Sequence, residues 1–453
     1  MTATTQPAWW REPTRKNWIA FGAAWSGWVL DGFDFTIFLL AMPDIVKAFG
    51  VTYQATAWSI TLTLLFRLAG GLGAGWLADR VGRKLPLMLS VILFALCDGA
   101  VYFAPTFTAV LVLRTLFGLG MGAQWTAGAT LAMESWPQRS RGLASGVLQG
   151  SWAIGFILAG VAYSAVVPTH GWRTLFLVAA APGLLVIPIL LWVEESPDWR
   201  KAREAASGIP FSALLRGALL VRIAWASLLW AASFGIYYGL TALYSTLIQT
   251  GLGLPPATLR DLVILFNLGM MAGAIACGLA ASRLGVVVAL AVPIALLLPV
   301  LPLYVGAAPG WLWLGALLAG AFGAGISGVT PLLLTALFPP EIRARSVGVV
   351  YHAGALLAAG TPSLVAALWK GGLPLPHALA GVVAGAAVLT LAILVIRPRS
   401  ALHRRRSRLR GAPPQSRRAR ARLRRSRSKG ADHEEDPRAS LLCPVPQRLW
   451  RER

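Results

Sequence analysis

Charged residues are scarce in this chain, and the shortage is informative. They make up 13% of the 453 residues, whereas hydrophobic residues make up 56%. A soluble domain carries roughly 25% charged residues, because its surface must stay wet. A water-soluble fold of this length cannot bury so many apolar side chains. The composition therefore excludes an ordinary soluble protein and indicates that lipid surrounds most of the chain.

Cysteine is also rare. Cys97, Cys277 and Cys443 are the three cysteines, and their spacing fits neither a metal site nor a disulfide framework. The glycines between Gly71 and Gly75 lie inside an apolar run, so they do not form a nucleotide-binding loop. No phosphate-binding lysine motif and no pairing of a nucleophile with a base occurs in the sequence. These absences predict a protein that is not an enzyme, is not driven by ATP, and needs no metal or cofactor.

Long apolar runs are what the chain has in abundance. A membrane-spanning helix needs about 20 mostly apolar residues. Twelve candidate spans have the approximate limits 18–43, 55–78, 85–104, 107–131, 142–167, 172–193, 220–247, 260–282, 285–306, 311–336, 345–369 and 375–397. The predicted fold is an all-α membrane protein whose twelve transmembrane helices form two pseudo-symmetric six-helix bundles. The bundles are 18–193 and 220–397, joined by a cytoplasmic linker, 194–219.

Basic residues are concentrated in alternate loops. They lie at Arg11–Lys16, Arg80–Lys84, Arg139–Arg141, Arg200–Arg216, Arg283 and Arg343–Arg345. Because Lys and Arg resist translocation, these loops are predicted to be cytoplasmic. With twelve spans both termini, including residues 1–17, are then cytoplasmic as well. We expect a multi-pass protein of the cell (inner) membrane.

Residues 398–453 form a separate, strongly basic segment. They contain 18 Lys and Arg and 5 Asp and Glu, a net charge of +13 out of the total of +23. This composition is typical of disordered polypeptide, and we predict a disordered cytoplasmic tail. Binding of the tail to anionic lipid is an open alternative, as is a reading frame that is not native. A nucleic-acid partner is not expected.

The two halves of the chain share an internal repeat. Gly75–Gly82 reads GWLADRVG and Gly278–Gly285 reads GLAASRLG, at an offset of 203 residues. Pro137–Gly146 matches Pro339–Gly348 at an offset of 202. Two matches at nearly one offset indicate a duplicated six-span unit. A solute path is then expected near the midplane between the halves.

The first copy of the repeat continues to Lys84 as GWLADRVGRK and resembles the signature loop of the major facilitator superfamily. The resemblance implies a conformational latch and not a substrate site. Glycine lets helices approach closely, and an aspartate can face a helix N-terminus and pair with an arginine. The implied latch, with its partners at the inner end of span four, is Gly75, Asp79, Arg80, Gly82, Arg83, Glu134 and Arg141.

A second resemblance covers most of the first half. Span one reads WVLDGFDF over Trp28–Phe35, and this Asp-Gly-Phe-Asp pattern is similar to the sialate:proton symporters and the related monocarboxylate and aromatic-acid symporters. Leu131–Pro137 and Val167–Arg173 also resemble the sialate branch. The resemblance implies proton-coupled uptake of a small organic anion.

Ionisable residues inside apolar spans are functional candidates, because charge is costly in a membrane. Asp31 and Asp34 share one helix face. Two close carboxylates disfavour double ionisation, so we predict that this pair couples transport to protons. Arg67 and Arg114 are predicted to bind a substrate carboxylate through bidentate hydrogen bonds. The alternative for both arginines is a structural salt bridge with the span-one aspartates.

Several polar and aromatic residues complete the candidate site. Gln124, a predicted substrate contact, stands where the related symporters usually carry a glutamate, and it cannot take up a proton. That proton role is lost here or has passed to Asp31 or Asp34. His352 is either a proton shuttle or a hydrogen-bonded packing residue, and Asp98 is expected to face the bundle. Candidates for lining a cavity, with packing as the alternative, are Trp28, Phe33, Tyr237, Tyr238 and Tyr244.

These observations favour a monomeric secondary active transporter that works by alternating access. It is expected to take up a small organic anion, such as sialate, a monocarboxylate or an aromatic acid, together with protons. The proton gradient is the energy source, and the bilayer is the other partner. Two alternatives remain open: an efflux antiporter that exchanges drugs or metabolites for protons, and a membrane sensor that does not transport.

Overall fold

The computed structural model describes residues 11–204, 214, 216–306 and 309–396. Within these ranges the chain forms helices and contains no strand, which confirms the all-α prediction. The predicted tail, 398–453, lies outside the described residues, as do most of the N-terminal segment and much of the linker.

The first half consists of seven α-helices and one short 3₁₀ segment. The helices are α1 Arg15–Phe49, α2 Tyr53–Val81, α3 Lys84–Tyr102, α4 Phe107–Ser135, α5 Arg141–His170, α6 Trp172–Ala180 and α7 Val186–Trp192. The 3₁₀ segment Ala181–Leu185 joins α6 to α7 as one interrupted span. A short linker helix, α8 Pro197–Glu204, follows.

In its described residues the second half has nine α-helices, several of which are pieces of one span. They are α9 Gly217–Thr241, α10 Tyr244–Thr246, α11 Pro256–Leu284, α12 Val286–Tyr304, α13 Leu312–Ala319, α14 Thr330–Leu337, α15 Arg343–Ala358, α16 Thr361–Lys370 and α17 Leu375–Val395. A π-helical segment, Gly320–Ala324, and a 3₁₀ segment, Gly325–Val329, link α13 to α14. This span is therefore continuous but irregular at its centre.

Local sequence signals set several helix limits. Thr14, Thr52 and Thr106 precede α1, α2 and α4, and each hydroxyl accepts a hydrogen bond from a first-turn backbone N–H. Gly50 ends α1 in the left-handed conformation, with φ of 63°.

Ten helical segments of the described ranges are long and apolar enough to cross a membrane, where twelve were predicted. The remaining two predicted spans have local peculiarities. Helix α1 is 35 residues long, but Asp31 and Asp34 lower its mean hydropathy. The α6–α7 span is divided by Ala181–Leu185, so that neither piece reaches the required length alone.

The sequence repeat is also a symmetry of the interface between the halves. Gly75 on α2 abuts the start of α15, where an added Cβ atom would lie 2.6 Å from the Arg345 Cα. Its repeat counterpart, Gly278 on α11, abuts the start of α5, where an added Cβ would lie 2.2 Å from the Gly142 carbonyl oxygen. Helix α2 therefore meets α15 as α11 meets α5.

A second pair of contacts follows the same symmetry. A Cβ added to Gly146 on α5 would lie 2.4 Å from the Ala274 carbonyl oxygen, and one added to Gly348 on α15 would lie 2.5 Å from the Gly71 carbonyl oxygen. At each of these positions a side chain would collide with the backbone of the other half. Small residues thus let the halves meet closely without polar groups.

Gly146→Ala is expected to loosen this interface. The new methyl group would meet backbone atoms of Ala274 and Ile275, and overpacking of this kind costs about 1–3 kcal/mol. We expect a lower melting temperature for the detergent-purified protein. The matched control is Gly160→Ala on the same helix, where an added Cβ meets nothing within 4 Å. Equal melting temperatures for the two variants would contradict the role assigned to Gly146.

Candidate functional site

A cavity of about 110 Å³ lies between the two halves. Its walls come from α1, α2 and α5 of the first half and from α9, α11, α15 and the irregular Gly320–Val329 region of the second. This position is the one that the repeat predicts for a solute path.

Arg67 on α2 is the cationic side chain that lines this cavity within the described residues. The residue is 6% exposed, and its guanidinium carbon lies 5.7 Å from the ring centroid of Trp28 and 5.6 Å from that of Tyr351. Its Nε and Nη2 atoms have no hydrogen-bond partner among the described residues. A buried guanidinium with free N–H groups is a ready binding site for a carboxylate.

Aromatic rings form much of the remaining wall. Trp28 and Trp152 lie in contact, with ring centroids 4.7 Å apart. Tyr351 of the second half stacks on Trp125 of the first at 3.5 Å, and Phe234 meets the edge of Tyr351. The cavity is therefore an aromatic enclosure around one positive charge.

The predicted cavity-lining aromatics divide into two groups. Trp28, Tyr237 and Tyr238 line the cavity. Phe33 and Tyr244 are not among the described residues that line it, and Tyr244 instead stacks on Tyr304 with ring centroids 4.3 Å apart.

The irregular centre of the α13–α14 span was not predicted from the sequence. Ala324, Ile326 and Ser327 of this region line the cavity, and the Ser327 hydroxyl has no hydrogen-bond partner in the described part of the chain. Interrupted helices at the membrane midplane free backbone and side-chain polar groups for a solute. The closely spaced glycines at Gly320, Gly323, Gly325 and Gly328 were the available signal.

Arg114 lies in a different place from Arg67. Its Nη1 atom donates to Asp98 Oδ1 at 3.1 Å, and both side chains are almost fully buried. Its guanidinium also lies over the Phe117 ring, 4.0 Å from the centroid. Arg114 is not among the described residues that line the cavity, so the geometry favours the salt-bridge alternative for it, with Asp98 in place of a span-one aspartate.

The two span-one aspartates are completely buried, at 0% exposure. None of their carboxylate oxygens accepts a hydrogen bond from an N–H or O–H group of the described residues. Asp31 interacts electrostatically with Arg67, Asp98 and Arg114, and Asp34 interacts electrostatically with Asp98 and Arg114. Neither aspartate is among the described cavity-lining residues.

Gln124 and His352 lie beside the cavity, outside its described lining. Gln124 Nε2 donates to the Ala24 carbonyl at 3.4 Å. His352 Nε2 lies 3.2 Å from both the Gly122 carbonyl oxygen and the Thr126 hydroxyl. These two contacts join the second half to α4. The geometry thus favours packing for His352 over proton shuttling, and it offers Gln124 no direct substrate contact.

An ionic network closes one side of the molecule, the side that carries the Arg80–Lys84 loop, here called the basic side. The Asp79 carboxylate accepts hydrogen bonds from the backbone N–H groups of Ala344 and Arg345, both at 3.1 Å, and from Arg345 Nε at 2.8 Å. An aspartate at a helix N-terminus is favoured by the helix dipole. Asp79 of the first half therefore holds the start of α15 of the second half.

Glu134 is the second node of this network. Arg83 donates to both of its carboxylate oxygens, at 3.0 and 3.1 Å, and Arg343 of the second half donates to one of them at 2.8 Å. Arg83 also donates to the Pro340 carbonyl at 3.0 Å. These contacts join both halves through fully or largely buried charges.

The segment after α7 completes the network and was missed by sequence reasoning. Glu195 accepts from the backbone N–H of Arg83 at 2.8 Å, and Ser196 donates to Glu134. Asp198 accepts from Arg343 at 2.8 Å, and the Trp199 indole donates to a backbone carbonyl of α2 at 3.0 Å. The acidic residues Glu195 and Asp198, which follow a long apolar run, were the available signal in the sequence.

The other predicted latch residues have smaller parts. Gly82 adopts a φ of 106°, and an added Cβ there would collide with Glu195. Arg141 donates to the Trp136 carbonyl at 3.2 and 2.9 Å. Arg80 is exposed and lies over the Trp76 ring of its own helix, 4.1 Å from the centroid, so it does not bridge the halves.

Comparison with known proteins decides what this arrangement is. The family model of the Major Facilitator Superfamily matches residues 24–301. The chain belongs to this superfamily. It is therefore a transporter and a multi-pass membrane protein, and the prediction that it is not an enzyme is confirmed.

Two curated transporters match the chain over most of their own length. The cis,cis-muconate transport protein of Acinetobacter baylyi is 28% identical, over 78% of this chain and 88% of that protein. The sialic acid transporter NanX of Escherichia coli is 27% identical, over 79% of this chain and 88% of that protein. The predicted resemblance to organic-acid transporters is thus confirmed.

The solved structure of the proton:xylose symporter XylE shares the fold of this chain. The TM-score is 0.70 at 17% identity, over 84% of this chain and 94% of that one. At this identity the likeness concerns the fold alone.

The Asp79–Arg345 contact is expected to be energetically coupled. In a double-mutant cycle of Asp79→Asn and Arg345→Gln we expect a coupling of about 1–3 kcal/mol in the free energy of unfolding, because both groups are buried. The control cycle uses the exposed pair Arg260–Asp261, for which we expect less than about 1 kcal/mol. Similar coupling in the two cycles would contradict the latch.

Proposed function

We propose that this transporter takes up a small organic monoanion together with a proton by alternating access. The observation that carries the proposal is the partly unsatisfied guanidinium of Arg67 in an aromatic cavity between the halves. A substrate carboxylate bound there would accept hydrogen bonds from the Arg67 N–H groups that have no described partner in the protein. The substrates named for the muconate and sialic acid relatives support an organic acid.

The cavity favours a flat, mostly apolar monocarboxylate over sialate. Its described lining offers one cation and is mostly aromatic and aliphatic. Its small polar side chains are Gln149, Ser233, Ser327 and Thr330, and its other hydrogen-bonding groups are the hydroxyl and indole N–H groups at the edges of tyrosine and tryptophan rings. Gln149 already accepts from the Trp125 indole at 3.2 Å. A polyhydroxylated solute would lose its hydrogen bonds to water without adequate replacement, whereas an aromatic or unsaturated acid would gain ring contacts.

Charge balance supports proton coupling. Apart from the ionic network on the basic side, the described interior of the first half holds three buried carboxyl groups and two buried guanidinium groups. The five side chains are Asp31, Asp34, Asp98, Arg67 and Arg114. With all five ionised the cluster carries one net negative charge, and a single proton neutralises it. A neutral cluster is the cheaper one to hold in a membrane.

Substrate and proton would then bind cooperatively. Asp31 interacts electrostatically with Arg67, so an ionised Asp31 competes with a substrate anion for the same cation. A proton in the carboxyl cluster frees Arg67 for substrate, and by linkage a bound anion favours the proton. This reciprocity produces symport.

Alternating access would use the two kinds of contact between the halves. The ionic network on the basic side holds that side shut, while the glycine contacts let helices rock against each other. From the distribution of Lys and Arg, we assign the basic side and both termini to the cytoplasmic face of the inner membrane. The protein would work as a monomer.

Uptake into membrane vesicles tests the substrate and its energy source. With an acidic exterior we expect faster accumulation of labelled benzoate than of sialate, and a loss of accumulation on removal of the gradient. Arg67→Gln should abolish uptake, whereas Arg260→Gln, an exposed residue, should not. Uptake that ignores the gradient would contradict proton coupling, and drug resistance without acid uptake would indicate efflux.

Asp31→Asn is expected to uncouple anion binding from pH. An asparagine removes the negative charge that competes with a substrate anion for Arg67, so the variant should bind benzoate at high pH as tightly as the unaltered protein binds it at low pH. Quenching of the tryptophan fluorescence from the cavity, measured between about pH 5 and 8, reports this binding. Asp261→Asn, exposed and outside the bundle interior, is the control. An unchanged pH dependence in Asp31→Asn would contradict its role.

A further inference from the structure

The carboxyl groups of Asp34 and Asp98 are buried inside the first half, and neither is among the described residues that line the substrate cavity. Asp34 is on α1 and Asp98 on α3, and both residues are 0% exposed. The two carboxyl groups interact electrostatically with each other and with Arg114. The Arg114 guanidinium donates to Asp98 Oδ1 at 3.1 Å and lies 4.8 Å from the ring centroid of Phe38, one turn beyond Asp34 on α1. From the sequence, Asp98 was expected only to face the bundle. Its partners could not be named, because they come from other helices of the chain.

Two unprotonated carboxylates cannot form a hydrogen bond, because both groups are acceptors. Neither Asp34 oxygen, nor Asp98 Oδ2, accepts from any N–H or O–H donor of the described residues. Two such buried carboxyl groups become favourable neighbours when one proton lies between them, because one carboxyl then donates to the other. Two carboxylates that share a site bind a proton for this reason.

One cation faces this pair directly. Arg114 on α4 donates to Asp98 Oδ1 at 3.1 Å, and its Nε atom has no partner in the described ranges. One guanidinium balances one of the two carboxylates. The other remains uncompensated until a proton arrives, which limits the site to one proton.

The neighbouring helices present few other titratable groups to this pair. Helix α1 also contributes Asp31, α2 contributes Arg67 through its interaction with Asp31, and α3 contributes the Cys97 thiol. Arg173 of α6 lies one turn away along α3, where it donates to the carbonyls of Tyr102 and Ala104. None of these described groups replaces the shared proton.

The pair is separate from the substrate cavity yet electrostatically connected to it. Asp34, Asp98 and Arg114 are not among the described residues that line the cavity. Asp31 interacts with Arg67 at the cavity and with Asp98 and Arg114 in the cluster. A change of charge on either side is therefore felt on the other.

From this geometry we infer that Asp98 is the second half of the proton site: the carried proton is shared between Asp34 and Asp98, with Arg114 as counter-ion. Arg114 then acts on the proton and not on the substrate. One proton enters, forms one O–H···O bond, and leaves when the helices move. This inference rests on the proposed proton-coupled function and assigns a residue to it.

Asp98→Asn tests the inference in the full-length protein reconstituted into vesicles. The expected result is loss of gradient-driven benzoate accumulation, with exchange of internal for external benzoate retained. Asp34 and Arg114 would then form a plain salt bridge that stays ionised. Asp98→Glu, which keeps the carboxyl, should restore part of the accumulation, and Asp34→Asn should repeat the loss.

A second measurement separates this role from simple support of Arg114. Purified protein in weak buffer with a pH-sensitive dye should take up a proton on addition of benzoate, and Asp98→Asn should abolish this uptake without abolishing benzoate binding. Asp261→Asn is the control. Full proton uptake by Asp98→Asn would overturn only the role inferred for Asp98. If the unaltered protein takes up no proton, both that role and the proposed proton coupling are overturned.

Discussion

The cost of placing a charge inside a bilayer is the constraint on which the rest of this structure depends. Each interior ionisable group must find a partner or remain a site of high energy. Arg114 meets Asp98, and Asp79 meets Arg345, so these pairs also fix the register of the helices that carry them. Arg67 keeps N–H groups without described partners and lies on the cavity. The rule that stabilises the bundle therefore also marks its binding site.

The internal duplication repeats the apolar contacts but not the charges. Gly75 and Gly278 play equivalent parts at the interface between the halves. At the position of Asp79, however, the second copy carries Ser282, whose hydroxyl bonds within its own helix to the Gly278 carbonyl. In the proposed mechanism, the symmetric glycine contacts permit rocking, and the one-sided ionic network strengthens the closed arrangement. The proposed mechanism needs both kinds of contact, because an ionic latch repeated in both halves would hold the two sets of glycine contacts equally.

The buried charges and the aromatic wall of the cavity are divided unequally between the halves. The first half supplies the buried charges, and the second supplies aromatic wall and an interrupted helix. In the proposed mechanism, this division keeps the proton site within the first half while both halves share the substrate cavity. In that mechanism, substrate binding at the shared cavity depends on how the two halves are placed, whereas the carboxyl cluster responds to a change of charge.

From sequence alone, the twelve-span plan, the duplication and the superfamily followed, because hydropathy and spaced glycines are properties of neighbouring residues. Asp79 facing a helix N-terminus was also predicted, since that role belongs to the motif. The partner of Asp98, the exclusion of Arg114 from the cavity and the unpartnered N–H groups of Arg67 were not predictable. Each depends on which faces of separate helices meet, and only the packing of the whole bundle decides that.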